Sequence, residues 1–239
     1  MKPVRDHLDA KTEKNAFKHL LTTLKNKNYR VGFFATALLS LGGFMMMPWG
    51  SAFAVNNLDV TKAQLPLLFM VAGISTLLIM PIIGKLSDSF DKFKLFAIAS
   101  IWMIVVVLIY TNLTSVPLYI IMIFNVLMMI GIMSRMVPSM ALVSNLPEMH
   151  DRGAFMSINS SLQQMAGGIA AGIGGLIVVQ KNEFAPLENF NVVGIVTASV
   201  CLVGIWAIYR VSKLVKAKPV AIFQPPVFET SDDILDEIS

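Results

Sequence analysis

The sequence predicts an all-α membrane protein with six transmembrane helices. Hydrophobic residues make up 55% of its 239 residues and charged residues only 14%, and the mean hydropathy is +0.68. A soluble domain of this length needs more polar surface than that. The apolar residues also fall into six separate stretches, each about long enough to cross a hydrocarbon core of roughly 30 Å.

The six predicted spans follow one another with short connections. They are too long, and too uniformly apolar, to be the alternating strands of a membrane barrel. Lys94, near the start of the third span, is expected to extend its amine to the headgroups. The spans cover Val31–Val55, Leu65–Ile83, Phe93–Leu113, Pro117–Leu142, Ala154–Val179 and Val192–Tyr209.

The basic residues predict the orientation of these spans. If the N-terminus is inside, 16 of the 19 Lys and Arg residues fall in cytoplasmic segments; the others are Lys62 and Lys181 outside and Arg135 within a span. This bias is the one that sets topology. It predicts a multi-pass protein of the cell membrane (the inner membrane, if bacterial) with both termini cytoplasmic. The net charge of +4 therefore indicates a lipid bilayer as partner and no nucleic acid.

The two ends of the chain differ from the bundle predicted over residues 31–210. Residues 1–30 are a basic leader in which apolar residues recur at helical spacing, which predicts an amphipathic helix on the inner membrane surface; a merely solvated leader is the alternative. Residues 211–239 contain three prolines and an acidic run, and are predicted to be a disordered tail. The apolar positions of the leader are Phe17, Leu20, Leu21 and Leu24.

The six spans divide into two similar triplets. Spans three and six are apolar on all sides, and each contains a tryptophan. Spans one and four are the longest and are expected to be the most broken. This correspondence predicts a 3+3 inverted repeat, as found in many transporters. The residues that predict the breaks are Gly42, Gly43 and Pro48 in span one, and Gly131, Arg135 and Pro138 in span four.

The loop at residues 84–94, GKLSDSFDKFK, is the most specific motif. Its glycine can end a helix, and its aspartate can cap the next helix or pair with a cation. It resembles the signature loop of the major facilitator superfamily, G-x-L-x-D-R-x-G-R-[KR]. Gly84, Leu86 and Asp88 match and Lys92 keeps the charge of the second arginine, whereas Ser89 and Asp91 depart from the pattern. A generic charged turn is the alternative.

Residues 134–142 and 147–156 resemble the fourth-to-fifth-helix region of the C-terminal half in the drug–proton antiporter branch of that superfamily. The resemblance implies a six-helix half of a major facilitator fold, working by alternating access in the efflux of a small molecule, with protons as a candidate co-substrate. It implies a second six-helix half, either another copy of this chain, a separately encoded chain, or the rest of a twelve-span transporter. Both cytoplasmic loops leave the membrane at the same face, and opposite charges there can lock one conformation. We therefore expect a cytoplasmic gating loop in which Asp88, with Lys92, lies near Glu148 or Arg152.

Among the ionisable side chains within the predicted spans, Arg135 is the strongest candidate for a functional residue. A charge in the hydrocarbon region is costly and by default marks a pathway or a buried pair. The alternative is an arginine that snorkels to the cytoplasmic headgroups. We expect Arg135 to belong to the substrate pathway, together with Asn125 in span four and Ser40 in span one.

Span five carries a polar stripe on one face, followed by small residues that let another backbone approach closely. It is interpreted as the interface between two transporter halves, with static packing inside this half as the alternative. The methionines of span four are expected to fill gaps between helices, although a flexible lining for apolar substrates is the other possibility. The interface residues are Ser157, Ser160, Ser161, Gln164, Gly168 and Gly172.

Several chemistries have no candidate residues in the spans. No span contains Asp or Glu, so a proton relay would need a carboxylate from elsewhere. His7, His19 and His150 lie outside the spans, there is no phosphate-binding glycine loop, and Cys201 is the single cysteine. We therefore predict no enzyme activity, no cofactor and no metal. The alternatives to a transporter half are a permease subunit driven by a separate ATPase, a scaffold without transport activity, and an intramembrane enzyme.

Overall fold

The computed structural model describes residues 16–217. The start of the leader and the predicted disordered tail from Lys218 onward lie outside the described residues. Eight α-helices form the described part: α1 Ala16–Lys25, α2 Lys27–Phe44, α3 Gly50–Asn56, α4 Leu65–Ser89, α5 Lys92–Tyr110, α6 Leu118–Ser144, α7 Arg152–Ile177 and α8 Phe190–Lys216. Helix α8 thus continues past Tyr209, where the sequence places the end of the last span.

The predicted all-α membrane fold is confirmed. Five helical segments are long and apolar enough to cross a membrane, with α2 and α3 counted together as Lys27–Asn56. Helix α7 is just as long, at 26 residues, but its serines, glutamines and glycines lower its hydropathy. The sixth span is therefore recognised by its length and by its packing in the bundle.

The predicted break in span one is confirmed, and the predicted break in span four is wrong. Helix α2 ends at Phe44, and a 3₁₀ turn over Met47–Trp49 that contains Pro48 leads into α3. Helix α6 instead runs unbroken from Leu118 to Ser144 with Pro138 inside it. Packing on α2, α4, α5 and α8 keeps α6 helical although the proline removes one backbone hydrogen bond.

The packing of the long helices repeats the 3+3 pattern. Helix α2 packs on α7 and α8, α6 packs on α4 and α5, and α5 packs on α8. Exchanging α2 with α6, α4 with α7 and α5 with α8 maps these pairs onto one another, and maps the α5–α8 pair onto itself. Helices α4 and α7 end up at opposite ends of the row and share no extensive contact.

Contacts distant in sequence close both ends of the bundle. At the end where both described termini lie, the α6–α7 loop contacts α1 and α2, and Lys216 of α8 contacts Asp91. At the other end, Asn57 after α3 exchanges two hydrogen bonds with Leu187, at 2.8 and 3.0 Å. Tyr29 and Phe155 anchor one hydrophobic core near the first end. A second core near the other end contains Phe53, Tyr110 and Phe190.

Candidate substrate pathway and cytoplasmic gate

Arg135 lies inside this bundle. Its side chain is buried, and its Nε donates a hydrogen bond to Ser100 Oγ of α5 at 3.2 Å. Its guanidinium lies 5.6 Å from the centre of the Phe96 ring, a cation–π contact that partly offsets the cost of desolvation. Cys201 of α8 is its neighbour on the other side. The arginine therefore joins α5, α6 and α8, and it does not extend to the headgroups.

No hydrogen bond or ion pair among the described residues joins the other two predicted pathway residues to Arg135. Ser40 is buried within the packed face of α2. Asn125 is half-buried on α6, and its amide donates to the carbonyl of Ile121 one turn earlier, at 3.1 Å. Among the residues described, the predicted pathway is thus divided between the interior of the bundle and the surface of α6.

The surface of α6 presents methionines at helical spacing. At about 100° per residue, Met122, Met129, Met133, Met136 and Met140 fall within one narrow face of the helix. Met136 and Met140 are exposed, and the sulfur of Met129 accepts a long hydrogen bond from Thr76 of α4 at 3.5 Å. Asn125 lies beside this stripe. The stripe offers a flexible, polarisable apolar surface, whereas Arg135 points to the other side of the same helix.

The loop that joins α4 to α5 is held by its own backbone and by α8. Asp88 is exposed and makes no ion pair within the described part of the chain, whereas Asp91 caps α5 by accepting from Lys94 N at 3.0 Å. Asp91 also accepts from Lys216 Nζ at 2.5 Å. The hydrogen bond from Lys216 is the main reason why the pKa of Asp91 lies below its ordinary value. Lys92 donates to the Ser87 carbonyl at 3.2 Å. Gly84 and Leu86 lie on the last turns of α4.

The predicted partners in the α6–α7 loop are bound elsewhere. Glu148 lies 3.6 Å from His150, and its backbone N–H donates to the Tyr29 hydroxyl at 3.1 Å. Arg152 is exposed at the start of α7. Among the described ion pairs none joins Asp88 or Lys92 to Glu148 or Arg152. The two loops are therefore tied to different helices, α8 for one and α1 and α2 for the other.

Asp151 is the central residue of the α6–α7 loop, a role that was not predicted from the sequence. Its carboxylate lies 2.7 Å from His19 Nε2, and it accepts from the Tyr29 hydroxyl at 2.8 Å. Burial raises the pKa of Asp151, but the hydrogen bonds from Tyr29 and His19 and the nearby His150 outweigh burial, so the pKa lies below its ordinary value. The signal that could have found it is weak, since Asp151 directly precedes a helix, where such a residue is usually a cap.

The six predicted interface residues of α7 share one exposed face. Ser157, Ser160, Ser161, Gln164, Gly168 and Gly172 are all exposed. They lie opposite the face on which Phe155, Ala166 and Ala170 are buried against the bundle. A Cβ on Gly168 or Gly172 would meet no atom within 4 Å. Among residues 16–217, a polar, small-residue face of a membrane helix is thus left without a neighbour.

A six-helix bundle built as two interlocked triplets, with one polar transmembrane face uncovered, has the architecture of a helical membrane transporter domain. A profile of the Major Facilitator Superfamily matches residues 32–230. The chain belongs to this superfamily of membrane transporters, whose members are generally not enzymes. No curated protein matches the chain.

Proposed function

We propose that this bundle is one half of a secondary transporter that exports a small molecule by alternating access. A second six-helix half, continuous with this chain or on a separate polypeptide, completes the substrate cavity. The observation that carries the proposal is the exposed polar face of α7. Polar groups in hydrocarbon are costly when they lack partners, and small residues on such a face favour close helix packing.

Helices α4 and α7 support the same proposal from their position in the bundle. They stand at opposite ends of the row of helices, where each can contact the other half, while α2 and α6 lie between them. The exposed methionines of α6 then line the cavity and provide an adaptable surface for an apolar substrate. Arg135 fixes α6 to α5 and α8, so that the half moves as one body.

The coupling ion is proposed from what the spans contain. The resemblance of residues 134–156 to drug–proton antiporters supports proton coupling. The α2, α5, α6, α7 and α8 helices contain no Asp or Glu, and Asp88 lies on the last turn of α4. The proton-carrying carboxylate is therefore expected on the other half.

The orientation in a cell membrane is proposed from the charge of the two bundle ends. One end carries most of the described basic residues, and the opposite end carries Lys62 and Lys181. Such an asymmetry favours the basic end in the cytoplasm. The basic end has Lys18, Lys25, Lys27, Arg30, Lys85, Lys92, Lys94, Arg152, Arg210, Lys213 and Lys216.

Cysteine cross-linking tests the interface. Ser161→Cys on the polar face of α7 should cross-link to the second half in membranes, because that face is buried there. Ile169→Cys is the matched control: Ile169 is also exposed, at 57%, but lies on the apolar flank that should meet lipid. Cys201, buried in α8, is replaced by Ser in both variants. Equal cross-linking from the two positions would contradict the proposed interface.

Reconstitution tests the transport activity. Vesicles that contain the purified chain as a monomer, an imposed proton gradient and ethidium as the probe should show no movement of ethidium above that of protein-free vesicles. A monomer that moves ethidium by itself would overturn the half-transporter proposal.

A further inference from the structure

The cytoplasmic end contains a cluster of five titratable side chains that the transport proposal does not use. His19 of α1, Tyr29 of α2, and Glu148, His150 and Asp151 of the α6–α7 loop contact one another. The two imidazole rings stack with their centres 6.5 Å apart. The cluster joins α1 to the loop from which α7 begins.

Helix α1 depends on this cluster for its polar attachment to the bundle. Its side chains Leu20, Leu21 and Leu24 are exposed, and Thr23 is the buried residue on its inner face. The Thr23 hydroxyl has no hydrogen-bond partner within the part of the chain that the structure describes. His19, one turn earlier, makes the hydrogen bond of α1 to the loop, so the strength of this contact depends on the charge of His19 and of the groups that face it.

We propose that α1 is a pH-responsive latch, docked on the α6–α7 loop when His19 and His150 carry a proton and released when they lose it. Imidazole is the side chain that ordinarily changes charge between about pH 5 and 8. Asp151, whose pKa lies below its ordinary value, stays ionised over this range, and Tyr29, whose pKa burial raises, stays neutral. Two cations flank the cluster, Lys18 on α1 and Arg152 on α7, and both are exposed.

The sign follows from the distances. At acidic pH two imidazolium groups face two carboxylates. Nε2 of His19 lies 2.7 Å from Asp151, and the two nitrogens of His150 lie 3.4 Å from Asp151 and 3.6 Å from Glu148. The rings are farther from each other than from these oxygens, so attraction exceeds the repulsion between the two cations. At alkaline pH the two carboxylates lose both countercharges. Docking is therefore favoured at acidic pH and weakened as pH rises.

The latch goes beyond the proposed transport and can be tested without a substrate. Spin labels at Thr22→Cys on α1 and Lys213→Cys on α8, in a Cys201→Ser background, report the distance between α1 and the bundle in the full chain in lipid nanodiscs. The ratio of docked to released α1 should fall roughly five-fold between about pH 5.5 and pH 8, the scale expected for exposed ion pairs.

Three variants separate titration from simple contact. His19→Gln keeps an amide that can donate to Asp151 but does not titrate, and together with His150→Gln it should abolish the pH response. His7→Gln, which removes the remaining histidine, is the matched control and should leave the response unchanged. A double variant that responds like the parent, or a parent that shows no response, would overturn the latch.

Hydrogen exchange on the unsubstituted chain provides the second measurement. After correction for the intrinsic effect of pH, the amides of α1 should exchange several-fold faster at about pH 8 than at about pH 6, since released helices lose protection. The amides of α5, which contributes no side chain to the cluster, should not change. Equal corrected exchange of α1 at both values would refute the proposal.

Discussion

Both faces of α7 contain glycines, but these glycines have different neighbours. On the packed face, a Cβ added to Gly174 would lie 2.6 Å from the Met45 carbonyl oxygen, and one on Gly167 would lie 3.2 Å from the Phe44 ring. On the exposed face, Gly168 and Gly172 have open space. One helix therefore carries both glycines that permit close packing within the bundle and glycines that no neighbour in the described bundle requires.

Small residues in a membrane helix therefore need to be assigned to a face before they are assigned a role. Gly167 and Gly174 are seven residues apart, and Gly168 lies next to Gly167 but turned by about 100°. A series of Gly→Ala substitutions on α7 isolates the effect of the face on stability, because each substitution adds the same single methyl group. The free energy of unfolding of each variant is measured by thermal or denaturant unfolding of the purified chain in detergent.

Gly174→Ala should have the largest effect. The new methyl group would overlap a backbone oxygen, which can move away only if α2 and α7 separate. We expect a destabilisation of about 1–3 kcal/mol, the usual cost of overpacking a tight contact. An unfolding midpoint equal to that of the unsubstituted chain would show that α2 and α7 do not pack as closely as described.

Gly168→Ala should have a smaller effect of opposite sign. The site is open and helical, so replacing glycine stabilises the lone bundle by about 0.5–1 kcal/mol through its helix preference. The same methyl group should reduce cross-linking from Ser161→Cys if this face packs on a second half. Stabilisation with undiminished cross-linking would place the partner elsewhere.

Gly167→Ala should have the smallest effect. The Phe44 ring is the flexible neighbour and needs to move by only a few tenths of an ångström. The gain in helix preference then roughly offsets the strain, and we expect a net change within about 0.5 kcal/mol. A loss as large as that of Gly174→Ala would mean that Phe44 is fixed as rigidly as backbone.

Much of this fold could be predicted from sequence because its determinants are local. The apolar runs give the spans, Pro48 gives the break after α2, and the i, i+3, i+4, i+7 spacing from Ser157 to Gln164 places these residues on one face. The continuity of α6 could not be predicted, since a proline such as Pro138 disrupts a helix locally. Only tertiary packing keeps this segment helical. In the same way, sequence spacing could not decide which neighbours surround Arg135.

The candidate site was less predictable because its contacts join distant segments. His19 and Asp151 are 132 residues apart, and Tyr29 and Asp151 are 122 apart. Nothing in the sequence near either residue indicates the other. Asp88 and Arg152, which match the family motifs, are exposed. The contacts between segments are made instead by Asp91, which departs from the loop motif, and by Asp151, which directly precedes α7.

The two hydrogen bonds between Asn57 and Leu187 have a consequence for biosynthesis. The two residues are 130 positions apart, so the end of the first span near Asn57 stays incomplete until the loop before the last span has emerged from the ribosome. Closing so long a loop adds entropy cost before any contact is gained. These two hydrogen bonds are therefore expected to form late in assembly, after α2 has already entered the bilayer.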